Sequence, residues 1–141
     1  MLRSTSQLLL AILVCLSGFS TLRAGFAWGD REIMSVTGPH WKITWTVSEE
    51  KFVAVSHWDS KNDPPLSSAK AVEIARSYLR SRHEPAEAQV FSVSLQRQPD
   101  PRFTESNYFY YIRFDDSRDA DPEKNEVSVV VLLDGTVVPP K

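Results

Sequence analysis

The sequence predicts an α+β fold: a single helix packed on an antiparallel sheet, in the order β-β-α-β-β-β. Three observations predict it. Residues 66–83, LSSAKAVEIARSYLRSRH, place Ala71, Val72, Ala75, Tyr78 and Leu79 at three- and four-residue steps, the spacing of one helical face. Several other segments alternate apolar with polar residues at period two, as half-buried strands do. Only one segment carries the helical period, so a sheet wrapped on that helix is the simplest way to bury both apolar surfaces.

Taken in order, residues 28–39 hold Gly29, Gly38 and Pro39, show no long period and read as an irregular lead-in. HWKITWTV (40–47) then puts Trp41, Ile43, Trp45 and Val47 on one strand face and Lys42, Thr44 and Thr46 on the other. After the polar SEEK, FVAVSHW (52–58) reads as a second strand. The gap is too short for a crossover helix, so the two are expected to form a hairpin with Trp41 and Trp45 as core residues. DSKNDPP (59–65) is a loop in which Pro64 and Pro65 block both helix and ladder donation. Ser67 or Ser68 supplies the helix cap. Arg80, Arg82 and His83 set positive charge in the last turn, and Glu84-Pro85 ends the helix.

Three strands follow. VFSVSLQRQ points Phe91, Val93 and Leu95 inward, with Ser92, Ser94 and Gln96 outward. NYFYYIRFDD sets Tyr108, Tyr110, Ile112 and Phe114 on one face, against Phe109, Tyr111 and Arg113 on the other. In the closing run Val127, Val129, Val131 and Leu133 share a face, Val130 and Leu132 take the opposite one, and Asp134-Gly135 turns the chain. The helix therefore faces the Tyr110, Ile112, Val129 and Val131 side.

The first segment sits apart from this domain. Arg3 precedes the short apolar stretch LLLAILVCLSGFS, and Gly25 and Ala27 supply small residues for cleavage, which is the layout of a secretory leader over 1–27. The stretch is short of the ~20 apolar residues that cross a bilayer. The expectation is a secreted or periplasmic domain over 28–141, soluble, with membrane contact through the leader alone. Removing 1–27 leaves 14 basic and 18 acidic side chains, a net charge of −4, and takes away the one cysteine. That balance argues against a nucleic-acid face. A domain of 114 residues can bury a core without disulfides.

Motifs that carry chemistry are missing. His-Glu-x-x-His, Gly-x-Ser-x-Gly and phosphate-loop patterns do not occur, and His40, His57 and His83 are scattered over three segments. His57 and Asp59 can share a strand side but lack a third ligand, and His83 suits a helix C-terminus. The acidic loop 115–126 offers oxygens to Ca²⁺, yet it has no glycine and carries Pro122, which favours a solvated turn. No catalytic residue, metal or cofactor is predicted.

LSSAKAVEIARSYL has a Leu-Ser entry followed by Ala71-x-x-x-Ala75, and NYFYYIRF and VVVLLDGTVV supply an aromatic strand and a terminal strand with an Asp-Gly turn. Over residues 66–138 this resembles PepSY-like domains. The resemblance implies a small exported helix-on-sheet module, related in shape to the cystatins and linked with binding or inhibiting peptidases. The Gln-x-Val-x-Gly loop of cystatins is absent, so inhibition of cysteine proteases in their manner is not implied.

The sheet face away from the helix then carries Phe109, Tyr111, Arg113, Val130 and Leu132. An apolar patch of this kind needs a cover. The tryptophan-bearing hairpin, a second copy of the chain in a homodimer, or another protein can each supply it. These five residues are the predicted binding surface of a non-enzymatic protein- or peptide-binding module, acting through that face or by strand addition at a sheet edge. One alternative is a small-ligand or enzymatic pocket between helix and sheet, built on Tyr108 or Tyr110. Another is a self-associating structural envelope protein.

Overall fold

The computed structural model describes residues 29–99, 106–115 and 126–141. The predicted leader 1–27, and all but the ends of the acidic loop 115–126, lie outside the described residues. The elements are β1 (Asp30–Thr37), β2 (Lys42–Ser48), α1 (Glu49–Val55), β3 (His57–Trp58), α2 (Ser68–Ser81), β4 (Gln89–Pro99), β5 (Ser106–Asp115), β6 (Glu126–Leu132) and β7 (Val137–Val138). The fold is α+β and every strand pairing is antiparallel. The predicted order holds in outline, with a second helix and two short strands added. No described helix is long and apolar enough to cross a membrane.

β4, β5, β6 and β7 lie side by side, and β3 pairs with the start of β5; β1 and β2 form a separate hairpin. Helix α2 begins as predicted, with the Ser67 side chain accepting from the Lys70 backbone N–H at 3.3 Å. Its buried stripe is Ala71, Ala75 and Leu79. The two alanines let the helix approach the sheet, where Tyr110, Ile112, Phe114, Val129, Val131 and Leu133 meet it. This is the predicted first core. Tyr110 also donates to the Leu66 carbonyl at 2.7 Å, which ties the segment before α2 to β5.

The end of α2 follows a Schellman pattern: Glu84 N–H bonds Leu79 C=O at 3.0 Å and His83 N–H bonds Arg80 C=O at 3.1 Å. His83 has φ 58°, in the left-handed region where glycine is at ease. His83→Gly should therefore stabilise the protein by about 1 kcal/mol. Urea denaturation measures this, and a neutral or destabilising result would mean that the imidazole compensates for its backbone.

The N-terminal third departs from expectation in three ways. Residues 49–55 are helical, whereas a strand over 52–58 was expected. Glu49 and Glu50 occupy the first turn, where negative charge suits the helix dipole, and Phe52 and Val55 turn toward the same core. A four-residue apolar run such as FVAV cannot separate the two periods by itself. The hairpin partner of β2 is β1, within the lead-in expected to be irregular. A β-bulge between Glu32 and Met34 breaks the alternation of β1, and Ile33 is buried there. Trp41 and Ile43 are 39% and 37% exposed, whereas Trp45 is 1% exposed. The Trp41 end of the hairpin is thus open to solvent while the Trp45 end is buried.

A second bulge sits in β4 between Val90 and Ser92. It swings Phe91, predicted to point inward, out to 62% exposure and puts Val90 in its place opposite Phe114.

Candidate functional site

Hairpin β1–β2 and helix α1 fold over the sheet face away from α2. Ile33, Trp45 and Phe52 pack there on Phe109, Tyr111, Val130, Leu132 and Val138 in a second core. Trp45 meets Tyr111 edge-on with ring centroids 5.9 Å apart, and Phe52 tilts against Phe109 at 6.2 Å. The chain after β7 ties the halves together: Lys141 and Thr44 exchange backbone hydrogen bonds at 2.8 and 3.4 Å.

The five residues predicted as a binding surface are thus divided. Phe109, Tyr111, Val130 and Leu132 are brought together but buried, at 7% exposure or less, with Tyr111 at the margin of the cover. They are a covered core, because the hairpin supplies the cover. Arg113 lies beyond the hairpin's reach and emerges on the same face.

Where the cover stops, a groove of about 710 Å³ opens. The hairpin supplies one wall with Val36, Trp41 and Ile43, and Tyr111 and Trp45 form the apolar end. The opposite wall is β6, through Glu126, Val127 and Ser128, with Glu84 at the far rim. Val127 and Ser128 point to opposite sheet faces, so the groove wraps around the edge of β6.

That edge is unpaired among the described residues. β7 reaches only Val130 and Val131, and no described strand pairs with Glu126–Val129 on the side away from β5. Leu132 N–H turns toward Thr136, so the same-phase backbone groups of Ser128 turn toward the open side.

The groove's polar groups are ordered. Arg113 donates through Nε to Glu126 Oε1 at 2.6 Å and through Nη2 to Glu126 Oε2, a bidentate pair. Arg113's hydrogen bond holds the Glu126 carboxyl below the usual range, against opposing desolvation, and the same bond raises the Arg113 guanidinium. The pair is over a third exposed on its Glu side, so it contributes at most about 1 kcal/mol to stability and serves mainly to fix positions. Phe91 lies under the guanidinium at 4.7 Å. Ser128 Oγ stands 3.0 Å from Tyr111 OH and 3.4 Å from Glu126 Oε1.

The Trp41 ring lies against the turn that precedes it. Gly38 N–H bonds Trp41 C=O at 2.8 Å and closes the turn. A Cβ on Gly38 would fall inside the Trp41 indole, so only glycine lets the ring lie there.

Sequence reasoning missed Trp41, Ile43, Phe91, Glu126 and Ser128 as a group. The available cues were Ser128 interrupting a valine run and the Gly-Pro-His turn before Trp41. His40, His57 and His83 sit on separate elements, and no cluster of three or more metal-ligating side chains occurs among the described residues. No family model matches the chain, and neither curated proteins nor solved structures give a match.

Proposed function

We propose that the chain is an exported, non-enzymatic module, similar to PepSY-like domains, that binds an extended segment of another protein. The observation that carries this reading is the open β6 edge at Ser128 lying beside the Trp41-rimmed groove. An added strand would exchange backbone hydrogen bonds with Ser128, which gives affinity. Its alternate side chains would fall into the groove, which gives selectivity. A tryptophan at the rim has only two side-chain torsions to fix, so it loses little freedom on binding. A pocket between α2 and the sheet is disfavoured by its apolar filling.

Selection of extended peptides from a displayed library tests this. Trp41→Ala is expected to weaken the selected peptides by about tenfold or more, the range of an interface anchor. The Ser128 amide should gain protection from hydrogen exchange when they bind. Peptides that bind Trp41→Ala unchanged and leave Ser128 unprotected would sink the proposal.

A further inference from the structure

The outer edge of β4 is a second open edge of a different character. Among the described residues β4 pairs with β5 alone, over its whole length of 11 residues. Exposed edges invite pairing, and proteins usually blunt them with charges, prolines or bulges. β4 has such devices only toward its ends: the bulge at Val90/Ser92, then Arg97 and Pro99. From Val90 to Gln96 it carries no charge, glycine or proline. The open part of β6, by contrast, is short and starts at Glu126.

We infer that β4 pairs with β4 of a second copy, making a two-fold dimer with one continuous sheet. An antiparallel strand pair is self-complementary about a two-fold axis, and such a contact closes at two copies. With Ser94 opposite its own counterpart, Val93 stands opposite Leu95 and Ser92 opposite Gln96. Val93 and Leu95 already pack against the α2 core, so this register carries the apolar face across the axis and matches polar with polar on the other side. No residue from Ser92 to Gln96 would meet a like charge. A second copy fits better than a charged partner, because nothing on this stretch could select one by charge. This contact is separate from the β6 groove and survives if the groove takes no peptide.

Sedimentation equilibrium on the chain as recovered from an expressing cell, with its N-terminus defined by mass spectrometry, tests the dimer. The mass is expected to rise with concentration from one copy to two. Ser94→Lys and Ser94→Glu should each stay single, because like charges then face each other, and mixing the two should restore the pair. Association driven by a retained leader would not respond to these charges. On the unsubstituted protein, hydrogen exchange of the β4 amides should quicken on dilution, a readout that stands even if a variant fails to fold. A single-copy mass up to the solubility limit overturns the inference. So do folded Ser94 variants that still pair, or β4 amides indifferent to dilution.

Discussion

Phe52→Ala is expected to destabilise the protein by about 3–5 kcal/mol, the usual loss when a buried phenylalanine is truncated and its site cannot collapse. Phe52 is 0% exposed although it lies on a helix of only 7 residues. Such a helix cannot hold itself together in water. Its stability comes from Phe52 reaching Phe109 on the sheet, with the Arg31 guanidinium also over the Phe52 ring at 5.5 Å. Removing the ring takes apolar burial from the second core and the anchor from α1 at once. Urea denaturation followed by far-ultraviolet circular dichroism measures the loss. A value under 1 kcal/mol would mean that α1 and the hairpin rest on the sheet without being part of its fold.

The same residue marks where sequence reasoning runs out. In β5 and β6 both alternate phases are apolar, and that alone requires two buried faces. Tyr110, Ile112, Val129 and Val131 were assigned to α2, and they lie there. Phe109, Tyr111, Val130 and Leu132 were assigned together to the reverse face, and they share it. The identity of the cover was not legible. It depends on α1, whose apolar run is too short to show a period, and on β1, whose alternation a bulge at Ile33 interrupts. Phe91 was misplaced for the same reason, since one extra residue in a strand reverses every side chain beyond it. The groove was illegible for a different reason. Trp41 and Ser128 are far apart in sequence, and each is ordinary in its own strand. Their proximity depends on how the hairpin sits over the sheet, which no local pattern encodes. Of the five predicted residues, Arg113 and Tyr111 reach it.

Phe114→Ala should cost a similar amount, about 3–5 kcal/mol, from the opposite face. Phe114 is 0% exposed, stands between Val90 on β4 and Val127 on β6, and lies under the Arg76 guanidinium at 5.3 Å. Arg76 in turn donates to the Ala86 and Ala88 carbonyls, so the ring also supports the segment joining α2 to β4. The stronger expectation concerns what melts with it. Phe114 and Phe109 alternate along one strand, so the two cores share the backbone of β5 and β6 and cannot lose order separately. Hydrogen exchange in each variant should therefore show α2 and β2 amides losing protection together, at one unfolding free energy. If Phe114→Ala released α2 while β2 kept its protection, the cores would be independent units, and the hairpin would hold its groove without the helix.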